Sequence, residues 1–168
     1  MLIRAVPFGD PVAQDLIVRV QEEYVLRYGG PDATPVDPAE FTAPDGVFLV
    51  ASDGPAVLGC GGWRAHGPGR AELKRMYVVP QSRRRGVARA LLTELERSAA
   101  AAGRGVLVLF TGLAQPEAIA LYEARGCRPM PGFGPYRDFP EARYYSRDLT
   151  ADDPAPAEQG PGASGSLQ

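Results

Sequence analysis

The hydrophobic pattern of this chain changes period at Pro80, and that change limits the folds open to it. Before Pro80 the apolar residues alternate over residues 2–6, and residues 47–51, 57–64 and 71–79 read as three further short strands. Alternation places every second side chain on one face, as in a half-buried strand. After Pro80, Val87, Leu91 and Leu95, with Leu92, Ala99 and Ala102 beside them, recur at helical spacing until Gly103. The unbroken apolar run 106–110 reads as a buried strand. Residues 116–125 read as a second late helix, with Pro116 near its start, Ala118, Leu121 and Tyr122 inward, and Gly126 as its stop. Short strands at 127–130 and 144–149 complete the pattern. The expectation is one mixed α/β (α+β) domain with an antiparallel start and about six to seven strands flanked by helices.

An earlier helix is also legible. Asp10 is placed to cap it, Pro11 to open it and Gly29-Gly30-Pro31 to end it, while Val12, Leu16, Val20 and Tyr24 form one apolar stripe. Residues 31–45 are rich in Pro, Asp and Thr and predict a surface loop with a helical turn at 38–41. Ser52-Asp53-Gly54 predicts a hairpin turn between two strands. At 168 residues a single core suffices, and a chain of this size buries roughly two-thirds of its surface. The domain is expected over residues 1–150. Residues 151–168 carry one large aliphatic side chain, Leu167, and predict a disordered tail.

A formal net charge of −2 gives no global attraction to nucleic acid or to an anionic membrane, so any basic site must be local. No signal-peptide pattern opens the chain, and a cytoplasmic protein is expected. Cys60 and Cys127 lack metal-ligand spacing and read as small buried hydrophobes. His66, the one histidine, has no second histidine with which to build a metal site and reads as an exposed loop residue; no metal is expected. Trp63 fits either the core or a pocket.

The local basic site is the turn Arg83-Arg84-Arg85-Gly86-Val87-Ala88, between a strand and a helix. N–H groups at a helix start have no intrahelical acceptor and lie at the positive end of the dipole, so they suit a phosphate. Small residues at 86 and 88 leave the backbone approachable, and arginines add charge-assisted hydrogen bonds. The turn is not a Walker loop and lacks the three-glycine spacing of a dinucleotide fingerprint.

These residues resemble the acetyl-CoA signature of the GNAT superfamily, Gln/Arg-x-x-Gly-x-Gly/Ala, through Arg83, Gly86 and Ala88. The run Leu121-Tyr122-Glu123-Ala124-Arg125-Gly126-Cys127 resembles the family's tyrosine-bearing helix. The resemblance spans roughly residues 1–150 and is specific from Glu72 to Arg128. It implies a splayed, largely antiparallel mixed sheet whose gap admits the pantetheine of acetyl-CoA. The backbones of Tyr77, Val78 and Val79 would pair with pantetheine, and Arg83, Arg84, Arg85, Gly86, Val87, Ala88 and Arg89 would cradle the pyrophosphate. Gln115 stands where many relatives carry an Asn that contacts pantetheine. Tyr122 takes the place of the phenol that protonates the departing thiolate, and Glu72 that of a general base acting directly or through water.

Strand alternation puts Lys74 on the same face as Glu72 unless a bulge shifts the phase, which makes Lys74 and Arg75 candidates to bind a substrate carboxylate. Phe110 stands where some relatives carry an acid. Phe133-Gly134-Pro135-Tyr136 resembles a late loop that covers the acceptor, making Phe133 and Tyr136 candidate pocket walls. The implied activity is transfer of an acetyl group from acetyl-CoA to the primary amine of a small molecule, with no nucleic-acid or membrane partner and a homodimer left open. A protein or peptide N-terminus is a second acceptor class. A non-catalytic acyl-CoA-binding module is the alternative outside enzymes.

Overall fold

Asp10 begins the ordered scaffold as its sequence position predicts, its carboxylate accepting the Val12 N–H at 2.9 Å. The computed structural model describes residues 1–151; Ala151 apart, the expected tail lies outside them. Helix α1, Pro11–Tyr28, follows the cap and ends on Gly29 at φ 80°, the left-handed conformation glycine adopts without steric cost. Before it comes β1, Leu2–Ala5, and after it a capped helical turn at Pro38–Phe41. Strands β2, Gly46–Asp53, and β3, Ala56–Ala65, form the predicted hairpin, with Gly54 rather than Ser52 at the start of its two-residue turn. Strand β4, Arg70–Val78, precedes helix α2, Val87–Ala101. Strand β5, Val106–Gly112, helix α3, Pro116–Ala124, and strands β6, Arg128–Pro129, and β7, Ala142–Asp148, complete the chain.

The seven strands form one sheet in the order β1-β2-β3-β4-β5-β7-β6. Every neighbouring pair is antiparallel except β4 and β5. Helix α1 covers one face through Ala13, Leu16 and Val20, which join Phe48, Val50, Cys60 and Tyr77. Helix α2 covers the other through Leu91, Leu92 and Leu95, packed with Trp63, Leu73, Leu107 and Leu109. Each of those leucines is fully buried, contributing about 1.5–3 kcal/mol. Trp63 is therefore core, and its indole N–H donates to Ser98 Oγ at 3.1 Å.

Strands β4 and β5 pair only over Arg70 to Glu72. Beyond Glu72, β4 continues to Val78 and β5 to Gly112, with β5 paired to β7 throughout. The sheet therefore splays at this seam. A bulge lies here too: Gly62 pairs with Lys74 and Cys60 with Tyr77, so two residues of β4, Arg75 and Met76, oppose Gly61 alone. Arg75 takes φ 59°, costly for a residue with a Cβ. No helix among the described residues is long and apolar enough to cross a membrane.

Candidate active site

The splay opens a cleft of about 1030 Å³ between β4 and β5, bounded by the end of α1, the turn before α2, and α3. From Val78 at its wide end to Lys74 near the vertex the strand runs roughly 13 Å. The two ends differ in chemistry.

At the wide end, Arg84 and Gly86 take φ 62° and 80°, with Arg85 between them outside the left-handed region. Such alternation turns successive N–H groups to one side and makes an anion-binding concavity. The first helical bond into this region is Ala90 N–H to Gly86 O, and the helix has no side-chain cap. Among the described residues the N–H groups of positions 84 to 89 find no acceptor. The first turn of α2 holds no acidic residue, yet Arg84, Arg85 and Arg89 stand at this positive end. The helix dipole disfavours cations there, so the turn is complete only with an anion, and a pyrophosphate fits it.

The arginines are not equivalent. Arg83 Nε donates to Val78 O at 2.9 Å and its Nη2 pairs with Glu23 at 2.6 Å, while the guanidinium lies over the Tyr77 ring. Arg83, Arg84, Gly86, Val87, Ala88 and Arg89 line the cleft, as do Tyr77 and Val78; Arg85 and Val79 do not. Val79 donates its N–H to Leu58 O, so it has none to offer a ligand, which corrects the expectation for that residue.

Along the α3 side, Tyr122 lines the cleft with its ring buried. Its hydroxyl has no hydrogen-bond partner among the described residues. Burial, with the nearby Tyr24 and Cys127, raises its pKa well above the ordinary phenol value, so it keeps its proton at any working pH. Gln115 also lines the cleft, and its Oε1 accepts the Tyr28 hydroxyl at 3.0 Å. Tyr28 in turn rests on Gly112, where a Cβ would come within 2.2 Å of its oxygen. The missing side chain at 112 is what lets the end of α1 close over β5.

Near the vertex, Lys74 Nζ and Arg75 Nη1 both reach Asp32 Oδ2, at 2.8 and 2.6 Å. The bulge brings Arg75 to the side of Lys74, which simple alternation would not. Lys74 lies over the Phe110 ring at 4.9 Å, and Phe110 stacks on Tyr136 at 5.6 Å. Tyr136 lines the cleft, and its hydroxyl accepts the Ala33 N–H at 2.8 Å. Burial lowers the Lys74 pKa, although Asp32 opposes that shift.

Glu72 and Phe133 are not brought into this cleft. They line a smaller cavity of about 140 Å³ with Arg64, His66 and Thr34. Glu72 Oε2 accepts from Arg64 Nε at 3.1 Å and lies 3.4 Å from His66 Nδ1. His66 is thus a half-buried partner of Glu72, its ring tilted against Phe133 with centroids 4.6 Å apart, rather than the exposed loop residue expected. Phe110 lines both cavities. Sequence reasoning missed Asp32, Glu23 and the cleft-facing role of Tyr24. Asp32 sits in a segment with only turn signals, and Tyr24 reads as one more member of an apolar stripe.

The pattern of the acetyltransferase (GNAT) family matches residues 17–127, about two-thirds of the chain. The chain belongs to the GNAT acetyltransferase family. It is 37% identical over 143 residues to the IAA acetyltransferase of Azospirillum brasilense, spanning 81% of this chain and 92% of that one. A protein of Klebsiella pneumoniae assigned as an acyl-CoA N-acyltransferase has the same fold, with TM-score 0.74, 26% identity and coverage of 88% of this chain and 97% of the other. An aminoglycoside 6′-N-acetyltransferase in complex with coenzyme A shares the fold at TM-score 0.66 and 16% identity, covering 92% and 100%. A GNAT member with this cleft is an acyl-CoA-dependent N-acetyltransferase.

Proposed function

We propose that this enzyme transfers the acetyl group of acetyl-CoA directly to the primary amine of a small molecule. The observation that carries the reading is one continuous cleft with an unsatisfied N–H cradle at its wide end, a protonated phenol on its wall and polar and aromatic side chains at its vertex. Coenzyme A in the complex of the related fold agrees with it, as does the 37% identity to an acetyltransferase whose name specifies a small molecule.

In this reading the cradle from Arg84 to Arg89 holds the pyrophosphate, and the stretch of β4 at Tyr77 and Val78, unpaired with β5, guides pantetheine toward the vertex. The amine nitrogen attacks the thioester carbonyl carbon. A C–N bond forms and the C–S bond breaks; the amine gives up one proton and the sulfur takes one, leaving as the thiol. Tyr122 supplies the proton to sulfur: burial keeps the phenol protonated, and its place on the cleft wall turns it to the leaving group. Glu72 is paired with Arg64 and lies in the adjoining cavity, so its role is to accept the amine proton at one remove, through water or His66.

Tyr122→Phe tests the central assignment, because it keeps the ring's packing and removes the hydroxyl. Thiol release with a turned-over amine should fall about 10- to 10⁴-fold while acetyl-CoA affinity holds. Wild-type turnover in a folded Tyr122→Phe protein would reduce the residue to core packing.

A further inference from the structure

Two buried cations at the vertex share one carboxylate oxygen. The side chains of Lys74 and Arg75 are 2% and 3% exposed, and both reach Asp32 Oδ2. Asp32 Oδ1 is turned to the Thr34 N–H at 2.9 Å. The pairing leaves one positive charge in excess where water is largely excluded and an uncompensated charge is costly. A second shortfall lies in the same side chain: Arg75 Nε is buried without an acceptor. A buried donor left unpaired keeps its desolvation penalty, and the residue is held at a left-handed φ besides. Such strain gathers at ligand-binding positions.

The other carboxylates of the region are committed elsewhere. Glu72 and Glu40 both hold Arg64, Glu23 holds Arg83, and Glu117 holds Arg27. Glu141 is exposed and pairs with neither vertex cation. Beside the cation pair the wall is aromatic, with Phe110 against Tyr136 and Tyr136 against Phe139.

We propose that the acceptor is an amino carboxylate, a small primary amine held by its own carboxylate on Lys74 and Arg75. Arg75 Nε supplies the hydrogen bond now unmade, and the body of the acceptor lies on Phe110 and Tyr136. This rests on the acetyltransferase reading and narrows it. Asp32 keeps the two cations in place between turnovers. The bound carboxylate cancels the excess charge, whereas a polyamine would bring further cations to a site that already has one too many.

The experiment compares each of the twenty proteinogenic amino acids with its carboxamide in a thiol-release assay, using the full chain and acetyl-CoA. Each kcat/KM is corrected for the fraction of unprotonated amine, because carboxamides have the more acidic amine. For the preferred side chain the acid should exceed its amide by at least about 100-fold. Lys74→Met should narrow that ratio at least tenfold, and Lys74→Arg, which keeps the charge, should preserve most of it. Equal or better use of the amides, or no turnover of any acid, overturns the inference. Calorimetry of acetyl-CoA binding on the same samples separates the two readings. Normal binding with carboxamides turned over removes the carboxylate site and spares the transferase, whereas absence of binding and of all turnover removes both.

Discussion

At neutral pH two opposed effects act on Asp32. Burial penalises its charge, while the Lys74 ammonium, the hydrogen bond from Lys74 and the Thr34 N–H favour it; the latter win and the carboxyl titrates at about 2. Its folded pKa is therefore depressed below the unfolded value near 4. The stabilisation is present above the unfolded pKa and disappears as pH falls through the folded one. Chemical denaturation from pH 6 to 2 should show the wild-type advantage over Asp32→Asn shrinking between about pH 4 and 2, by on the order of 2 kcal/mol. A constant difference across that window would mean that Asp32 is not ionised against Lys74 and Arg75. Nothing local in the sequence announces this carboxylate. Its partners lie 42 and 43 residues away, across a loop whose composition speaks only of turns.

Among the elements, α1 does more than cover the sheet. Glu23 holds Arg83 at 2.6 Å and Arg27 holds Glu117 of α3 at 2.7 Å, so the helix grips both walls of the cleft. In the proposed reading a pyrophosphate that also reaches Arg83 competes with Glu23 for its guanidinium. This pair is partly exposed and therefore worth little, about 0.2–1 kcal/mol. Glu23→Gln should accordingly tighten acetyl-CoA binding by about two- to fivefold in equilibrium titration, and weaker binding would show that Glu23 orients Arg83 instead of sequestering it. The apolar stripe Leu16, Val20, Tyr24 was legible because burial on one helix face repeats every turn. The salt bridges were not, since charged side chains on the same helix carry no sign of which distant element they meet. The β4 bulge was anticipated only as a change of phase: alternation set Glu72 and Lys74 on one face, and only the pairing of Gly62 with Lys74 and Cys60 with Tyr77 reveals that Arg75 joins them.

For the molecule as a whole, the order of elements could be read from the change of hydrophobic period at Pro80, because a sheet with helices on both faces imposes different periods on its strands and helices. The N–H cradle at the wide end of the cleft was legible because arginines, a glycine and a helix start are contiguous in the chain, and a helix start with free N–H groups is local backbone physics. The vertex of the cleft is assembled from α1, the loop after it, β4, β5 and the late loop, and there the sequence did not show that Glu72, Phe133 and His66 line a cavity of their own beside it. Its geometry depends on how far β4 and β5 separate, which no single segment encodes.

In the proposed reading the cradle before α2 takes the diphosphate of acetyl-CoA. Ala88 lines the cleft in the first turn of α2, which holds no acidic residue. Ala88→Glu would place a carboxylate among the free N–H groups, where the helix dipole welcomes it, so the fold should be as stable as wild type or slightly more so. Gly86 is a poorer probe, since its φ of 80° would strain any other residue. Calorimetric titration of acetyl-CoA into wild type and Ala88→Glu, with Tm measured on both, is the direct test. The prediction is saturable binding to wild type and binding at least about 100-fold weaker to the variant at an undiminished Tm, the expected effect of an anion already seated on the donors. Equal affinity in the two proteins, or no binding to wild type, would contradict it.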